Sequence, residues 1–235
     1  MSPAIQTITL SLVLRLGAVN CYLVTANDGF ILFDTGGSNK RRDLHETLTS
    51  AGCQPGNLRL IVLTHGDFDH SGNAAFLRGQ FNTPIAMHES DAGMVERGDM
   101  SWNRQSSKLV LKVASPMFGF GKAERFTPDI LLNEGDTLAA YGLDAKVIHL
   151  PGHSLGSIGI LLAGGDLITG DLLENTKGPS FNSIMDDRVA ATHSVAKLRS
   201  YEIGTVYPGH GAPFPMAAFY DSQHIAPNLY DDKQA

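Results

Sequence analysis

A short loop rich in metal-binding side chains constrains most strongly what this chain can fold into. The segment Thr64–His70 has the sequence THGDFDH and contains four potential metal ligands, His65, Asp67, Asp69 and His70. It directly follows Leu58–Leu63, an aliphatic run without alternation that predicts a strand buried on both faces. Charged side chains are rarely buried unless they are paired or bind a metal. We therefore predict a metal site, because imidazole and carboxylate ligands together suit Zn, Fe or Mn.

The spacing within this loop indicates two metal positions. Alternate residues of an extended segment point to the same side, so His65 and Asp67 can reach one ion. Asp69 and His70 lie beyond a turn and can reach a second ion. The loop alone therefore offers two ligands to each position.

Three later motifs each have a potential ligand next to a glycine at the end of a predicted strand. They are Pro151-Gly152-His153 after Ala145–Leu150, Thr169-Gly170-Asp171 after Asp166–Thr169, and Pro208-Gly209-His210-Gly211 after Gly204–Tyr207. Each motif alone is an ordinary turn. Ligands collected on loops at one sheet edge, however, are how α/β proteins build their sites. We therefore expect His153, Asp171 and His210 to join the loop at one edge.

Strands and helices are mixed in both halves of the chain, which predicts an α/β protein with helices covering its sheets. Further strands are predicted at Thr7–Leu16, Asn20–Thr25, Phe30–Asp34, Thr83–Met87, Thr137–Ala140 and Ser157–Leu162. Helices are predicted at Lys40–Ala51, from an N-cap at Ser71 to about Leu77, and at Asp187–Ser200. No repeat, linker or shift in composition marks a boundary, so residues 1–235 are predicted to form one domain.

The motifs jointly resemble those of a known family. The HxHxDH-like loop followed by PGH, TGD and PGHG is similar to the pattern of the metallo-β-lactamase superfamily, as is Asp34-Thr35-Gly36 after the third strand. The resemblance runs from about Asn20 to Gly211. It implies a four-layer αβ/βα sandwich, of the α/β (α+β) class, with a binuclear metal site at one sheet edge.

The resemblance also implies a role for each ligand. Carried over to this chain, the ligands form two groups and a bridge: His65, Asp67 and His153; Asp69, His70 and His210; and Asp171 between them. Asp34 would orient the ligands through hydrogen bonds. Asp69 would also be catalytic, accepting the proton of the attacking water while it remains a ligand. The implied cofactors are two divalent ions per chain, with Zn expected first and Fe or Mn as alternatives.

One position departs from the family pattern. Residue 67, the second His of HxHxDH in the family, is Asp67 here. Three carboxylates against two divalent ions leave about one net positive charge, which favours harder ions such as Fe or Mn. The di-iron branch of the superfamily similarly has a carboxylate at this position. Alternatively, Asp67 is too short to ligate and the first site is weak or empty.

The middle of the chain, residues 91–126, combines large apolar side chains with glycines. One interpretation is extra packing helices over the core; the other is a mobile apolar lid that shapes a substrate pocket or a homodimer contact. Lys177, six residues after Asp171, is a candidate for holding an anionic end of the substrate, or else an ordinary surface lysine.

Composition and patterning bear on partners and location. The formal net charge is −6 and no basic run exceeds Lys40-Arg41-Arg42, so we expect no nucleic-acid partner. The alternation of Ile8, Leu10, Leu12 and Leu14 predicts a strand instead of a signal peptide, and no run reaches the roughly 18 apolar residues of a membrane span. Cys21 and Cys53 form neither a disulfide framework nor a CxxC site. A soluble, cytoplasmic protein is expected.

These observations favour a metal-dependent hydrolase. A hydroxide held by two metals would attack the carbonyl of an ester, thioester or lactone-like small molecule while a metal polarises its oxygen. Asp67 favours an alternative, a non-haem iron protein handling oxygen, nitric oxide or persulfide, although no CxxC pair for electron entry is visible. The third alternative is a non-catalytic protein that binds a ligand or partner. It would require a defective metal site, and only position 67 hints at one.

Overall fold

The computed structural model describes residues 3–12, 17–104 and 121–224, which form two β-sheets flanked by helices. The first sheet contains six strands in sequence order: β1 (Ile5–Ser11), β2 (Ala18–Ala26), β3 (Gly29–Phe33), β4 (Leu58–Val62), β5 (Ile85–His88) and β6 (Ile130–Leu132). The pairs β1–β2 and β2–β3 are antiparallel, whereas β3 to β6 run parallel. The carboxyl ends of β3, β4 and β5 therefore meet at one edge.

The second sheet has the order β12-β11-β9-β8-β7, with the short β10 paired to β9. Its strands are β7 (Ala145–His149), β8 (Ile158–Leu162), β9 (Asp166–Asn175), β10 (Ser180–Phe181), β11 (Thr205–Gly211) and β12 (Phe214–Pro215). The central pair β9–β11 is parallel, and the other pairs are antiparallel. The Asp171 and His210 motifs consequently lie side by side.

The helices cover the outer face of each sheet. They are α1 (Arg41–Ser50), α2 (Phe68–Ser71), α3 (Ala74–Phe81), α4 (Glu89–Arg97), α5 (Arg188–Leu198) and α6 (Met216–Ser222). Leu44 of α1 and Leu77 of α3 pack in the core that covers the first sheet, and Leu198 of α5 packs in the core that covers the second. The inner faces of the two sheets meet in a third core that includes Phe33 and Ile160. The predicted four-layer αβ/βα sandwich is confirmed.

Polar contacts join the two sheets at the edge that carries the motifs. The Asn20 side chain on β2 donates to the backbone oxygens of Pro208 (3.1 Å) and Gly211 (2.7 Å) on β11. The hydroxyl of Tyr22 donates to the Pro208 oxygen at 2.6 Å. These groups are buried, so their hydrogen bonds fix β11 against the first sheet with directional precision. The His210 motif is thereby held beside the first sheet.

Several predicted elements differ in detail from the observed ones. Ser71 is the last residue of the short helix α2 and not a helix N-cap; Asn73 precedes α3, which extends to Phe81. The strand predicted at Thr137–Ala140 is replaced by a 3-10 turn at Ala139–Tyr141 and one isolated bridge from Thr137 to Lys146. The chain leaves the extended conformation at Leu138, and a left-handed Gly142 ends the turn.

The described part of the middle segment packs on the protein. Helix α4 buries Met94 and Val95, and Met100 is also buried, in agreement with the packing interpretation for these residues. Residues 105–120, on which most of the lid interpretation depends, lie outside the described residues. Within the described ranges no helix is both long and apolar enough to cross a membrane.

Candidate metal centre

The centre is organised around Asp34, which follows β3. Its carboxylate accepts hydrogen bonds from the backbone N–H of Thr64 (2.8 Å), the Thr64 hydroxyl (2.8 Å) and Nδ1 of His70 (2.8 Å). The side chain is almost fully buried, so three donors compensate for removing the carboxylate from water. Asp34 therefore fixes the loop after β4 through its hydrogen bonds to Thr64 and His70.

Four imidazoles are held in the same way, each through its Nδ1 atom. His65 Nδ1 lies 3.0 Å from the Thr64 hydroxyl, and His70 Nδ1 lies 2.8 Å from Asp34. His153 Nδ1 is 2.7 Å from the backbone oxygen of Ile184, and His210 Nδ1 is 2.7 Å from that of Ala18. An acceptor at Nδ1 keeps the proton on that nitrogen. All four rings therefore present an unprotonated Nε2 when they are neutral, which is the state that binds metal.

Three of the predicted ligands form a first group. Nε2 of His153 lies 3.0 Å from Oδ2 of Asp67, and Nε2 of His65 lies 3.8 Å from the same oxygen. Bonds of about 2.0–2.2 Å to a tetrahedral ion put its donors roughly 3.3–3.6 Å apart. Asp67 thus reaches far enough to share an ion with both histidines. The alternative that Asp67 is too short to ligate finds no support in this geometry.

A second group lies beside the first and is joined to it by Asp171. Nε2 of His210 is 3.6 Å from Asp69 Oδ2 and 3.2 Å from Asp171 Oδ2. Asp171 also approaches Nε2 of His70 at 3.3 Å and Nε2 of His153 at 3.9 Å. The structure therefore brings all seven predicted ligands together, with Asp171 between the two groups.

The chemistry of the buried donors fits divalent cations. Nε2 of His65, Nε2 of His70 and Oδ1 of Asp171 are buried, and none of them makes a hydrogen bond of acceptable geometry within the part of the chain that the structure describes. Unsatisfied buried polar atoms are costly and rare in native proteins. Here they converge within 4.8 Å of one another, which is the arrangement expected of ligands around an ion.

Without metal, the charges of the centre shift the pKa values of its ligands in opposite directions. Burial lowers the pKa of His65 well below its usual value. For His210, the attraction of Asp171 outweighs burial and raises the pKa to about 9. Burial likewise opposes the charge of Asp67, but Arg104 and His153 hold the pKa of that carboxyl well below its usual range. The metal-free centre therefore holds protons that a cation would displace.

Arg104 is a member of the site that the sequence did not reveal. Its Nη2 donates to Oδ1 of Asp67 at 2.6 Å, and its side chain is 3% exposed. Arg104 lies 37 positions from Asp67 along the chain. It falls within residues 91–126, which the sequence analysis described by their apolar side chains and glycines. The count of charges made from the sequence included only the ligands, and Arg104 adds a buried positive charge beside them.

Asp91 is the second residue near the site, after Arg104, that the sequence did not reveal; its carboxylate is fully buried. It lies on α4 and accepts hydrogen bonds from the backbone N–H groups of Gly66 (3.0 Å) and Gly156 (2.8 Å) and from the Ser154 hydroxyl (2.6 Å). Gly66 belongs to the loop with His65 and Asp67, whereas Ser154 and Gly156 follow His153. Asp91 therefore ties together the two loops that carry the first group.

A cavity of about 180 Å³ adjoins the first group. Its lining includes Arg104, Gly152, Ser154 and Leu155, which neighbour Asp67 and His153 in space or in sequence. Lys177, the candidate for holding an anionic substrate, is exposed in the loop after β9 and does not line this cavity. Its role remains a prediction.

Comparison with known proteins identifies the family. The sequence profile described as the Metallo-beta-lactamase superfamily matches residues 14–210. The chain belongs to this superfamily. All seven ligands lie within the matched range, which ends at His210 in the last of the motifs. Divalent metal binding is the shared property of the superfamily, which the side-chain clusters described above fit.

Related proteins of the superfamily bear the names of hydrolases. The bovine acyl-coenzyme A thioesterase MBLAC2 is 32% identical over 160 residues, which cover 59% of this chain and 52% of that protein. The hydroxyacylglutathione hydrolase GloC of Haemophilus influenzae is 33% identical over 107 residues, covering 45% of this chain and 44% of that protein. The chain thus spans about half the length of these relatives. The prediction of a metallo-hydrolase is confirmed at the level of the family.

Three further comparisons cover more of the chain. The probable metallo-hydrolase MJ0888 of Methanocaldococcus jannaschii is 29% identical over 197 residues, covering 82% of this chain and 87% of that protein. The crystal structure of TTHA1623 in a di-iron-bound form superimposes with a TM-score of 0.71 at 27% identity, covering 92% and 96% of the two chains. The B3 metallo-beta-lactamase BLEG-1, at 20% identity and a TM-score of 0.72 over 95% and 100%, shares the fold.

Proposed function

We propose that this protein is a metal-dependent hydrolase that uses two divalent ions, with zinc the first candidate, to cleave an ester, thioester or lactone-like small molecule. The proposal rests on one observation above all. Four imidazoles, each anchored through Nδ1, direct Nε2 toward the carboxylates of Asp67, Asp69 and Asp171 in a buried centre. Such preorganisation would serve little purpose in a protein that bound no metal.

Each ion would have ligands from both sheets. His65, Asp67 and His153 would hold the first ion, Asp69, His70 and His210 the second, and Asp171 would bridge them. Bound divalent ions lower the pKa of a water molecule and polarise a carbonyl, which is the chemistry that hydrolysis requires. The role of the chain is to fix these donors by hydrogen bonds from the opposite side of each ring.

Asp69 is the best candidate for moving a proton. Its side chain is 13% exposed and its Oδ2 lies 3.6 Å from Nε2 of His210. A carboxylate has two oxygens, so Asp69 can hold an ion with one and accept a proton with the other. The Nδ1 of His210 is already committed to the Ala18 oxygen, which leaves the proton-accepting task to the carboxylate.

The cavity beside Arg104 and Leu155 is the candidate substrate site. Leu155 is 43% exposed at its wall, and the lining also includes the polar side chains of Asn103, Arg104, Asp186 and Asp187. Small-molecule sites combine apolar surface with a few polar groups that fix the orientation of the ligand. The acyl-coenzyme A thioesterase among the relatives makes an acyl thioester the first compound to test.

The first experiment is the substitution Asp171→Ala, assayed with an acyl thioester, an aryl ester and a lactone on protein loaded with zinc. Removing the bridge takes a donor from both groups, so we expect metal content and hydrolysis to fall together. Asp166→Ala is the matched control, because Asp166 begins the same strand outside the centre. Hydrolysis that survives Asp171→Ala at the level of the control contradicts the proposal.

Redox chemistry at iron is a second candidate, favoured by Asp67 and by the similarity to a di-iron-bound protein. Elemental analysis of protein expressed with zinc and iron both available distinguishes the two. Predominant iron, with an absorption spectrum that changes on reduction, would support redox chemistry. About two zinc ions per chain, with turnover of a substrate from the panel above, would support hydrolysis.

A further inference from the structure

The two oxygens of Asp67 have different partners. Oδ1 accepts a hydrogen bond from Nη2 of Arg104 at 2.6 Å. Oδ2 faces Nε2 of His153 at 3.0 Å and Nε2 of His65 at 3.8 Å. The carboxylate is therefore divided between a buried guanidinium and the donors of the first metal position. Oδ2 is the oxygen that is directed at the first metal position.

We infer that Arg104 and Asp67 act together as the equivalent of a neutral histidine ligand at the first metal position. The inference rests on the metal position proposed above. A neutral imidazole offers one donor atom and no charge. The Asp67–Arg104 pair likewise offers one free oxygen, Oδ2, and its charges cancel. The pair thus matches the histidine of the family pattern in both respects.

Electrostatics explains why the two residues belong together. A buried carboxylate or guanidinium without a partner is strongly unfavourable, whereas a short charge-assisted pair offsets much of that cost. Asp91, the other fully buried carboxylate near Arg104, already accepts three hydrogen bonds from Gly66, Ser154 and Gly156. Among residues 3–12, 17–104 and 121–224, Asp67 has no comparable set of donors, so it depends on the guanidinium for compensation.

The pair also restores the charge of the centre. Asp67, Asp69 and Asp171 bring three negative charges, and Arg104 removes one of them. Two divalent ions would then leave two net positive charges, as they would with two carboxylates and a neutral histidine. A more positive centre acidifies bound water more strongly. The presence of aspartate instead of histidine at position 67 therefore leaves the net charge of the centre unchanged only while Arg104 is present.

A double-mutant cycle tests the inference through metal binding, without an activity assay. The proteins are the wild type, Asp67→His, Arg104→Met and the double variant Asp67→His/Arg104→Met. Zinc per chain is measured by elemental analysis, and zinc affinity by competition with a chromophoric chelator. Asp67→His alone removes the carboxylate that is hydrogen-bonded to the guanidinium and leaves that positive charge beside the ion, so we expect affinity at the first position to fall about tenfold or more. Adding Arg104→Met should recover most of that loss.

Two further variants separate charge from packing. Asp67→His/Arg104→Lys keeps the positive charge and should remain as weak as Asp67→His. Asp67→His/Arg97→Met removes an arginine that stacks on Trp102 nearby and should also give no recovery. Arg104→Gln replaces Arg104→Met if the latter fails to fold, as judged by circular dichroism of the metal-free protein.

The failures of the two proposals are distinguishable. If the wild type binds about two ions but Arg104→Met gives Asp67→His no recovery, the pairing is wrong and the binuclear site stands. If the wild type binds fewer than two ions and Arg104→Met alone raises the number, Arg104 obstructs the first position, which overturns the inference. Recovery with the lysine variant would also overturn it, because the lysine retains the charge.

Discussion

Oδ2 of Asp34 lies 2.8 Å from Nδ1 of His70, and the backbone at Asp34 has a φ of 59°. The left-handed conformation is uncommon for residues other than glycine, and Asn and Asp are the side chains that tolerate it best. It turns the chain sharply after β3, so that one carboxylate can also reach both donors of Thr64. A slightly strained residue therefore positions the loop that carries four of the ligands.

We expect Asp34→Asn to weaken zinc binding by about 10–100-fold, the usual cost of removing a partner that orients a metal ligand. Asparagine tolerates the left-handed backbone conformation, so the loss of zinc affinity would come from the missing carboxylate and not from new backbone strain. Its amide has a single oxygen, which cannot serve Thr64 and His70 as the carboxylate does. Chelator competition measures the affinity. The exposed Asp43→Asn is the control, and equal affinities of the two variants would contradict this role.

Gly209 offers a steric test of the same centre. A Cβ at this position would overlap Oδ1 of Asp171 and approach Cε1 of His70 to 2.7 Å. Gly209→Ala should therefore displace Asp171 and His70 and reduce the zinc bound per chain below two ions. Gly79→Ala is the matched control, because a Cβ there meets no atom within 4 Å. It lies in α3 and should stabilise the protein by about 0.5–1 kcal/mol in urea unfolding. Two zinc ions in Gly209→Ala would refute the predicted clash.

Much of the fold was predictable because hydrophobic patterning and turn chemistry agree locally. Helix α1 and the left-handed Gly52 after it match the predicted helix and its end. Strands β9 and β11 run on through the Asp171 and His210 motifs, so these ligands lie within strands and not after them. The parallel pairing of β9 with β11 satisfies the backbone there, and pairing between distant segments leaves no local sequence signal.

The ligands of the centre were predictable because they are clustered along the chain, whereas Arg104 and Asp91 are not. His65, Asp69 and their companions occur in compact motifs at strand ends, where charged side chains close to a buried strand need a partner or a metal. Arg104 and Asp91 become functional only through contacts made in three dimensions, with Asp67 and with the loops that follow β4 and β7. Nothing in their own neighbourhoods in the sequence distinguishes them from surface charges.

Metal binding should release protons at neutral pH. Asp171 raises the pKa of His210 to about 9 in the metal-free protein, so at pH 7.5 this imidazole is protonated, whereas zinc requires it neutral. Calorimetry in buffers of different ionisation enthalpy should show net proton release when zinc binds to the wild type, and fewer protons released per zinc ion bound in His210→Ala. If His210→Ala releases as many protons per zinc ion as the wild type, the raised pKa of His210 is contradicted.

The same shift predicts how the stability of the metal-free protein depends on pH. A raised pKa in the folded state means that protonated His210 stabilises the protein fully below its ordinary pKa of 6.5 and loses that effect as the pH rises through about 9. The melting temperature of the metal-free wild type should therefore decrease over this window more than that of His210→Ala. If the melting temperatures of the two proteins change with pH in parallel, protonated His210 does not contribute to stability.

Asp91 should couple the stability of the fold to the first metal position. Asp91→Asn puts an amide N–H2 among three donors, from Gly66, Ser154 and Gly156, so at least one buried donor loses its acceptor. The expected loss is about 2–4 kcal/mol in the free energy of unfolding of the metal-free protein, measured with urea. Glu96→Gln on the exposed side of α4 is the control and should change it by less than about 0.5 kcal/mol.

Zinc affinity distinguishes this role from simple packing. Asp91 joins the loop of His65 and Asp67 to the loop of His153, and no described hydrogen bond from its side chain reaches the second group. If Asp91→Asn separates these loops, the first ion should be lost at chelator concentrations that leave the second in place. Loss of both ions in parallel would mean that the whole centre had loosened. Unchanged affinity with lowered stability would assign Asp91 to the fold alone.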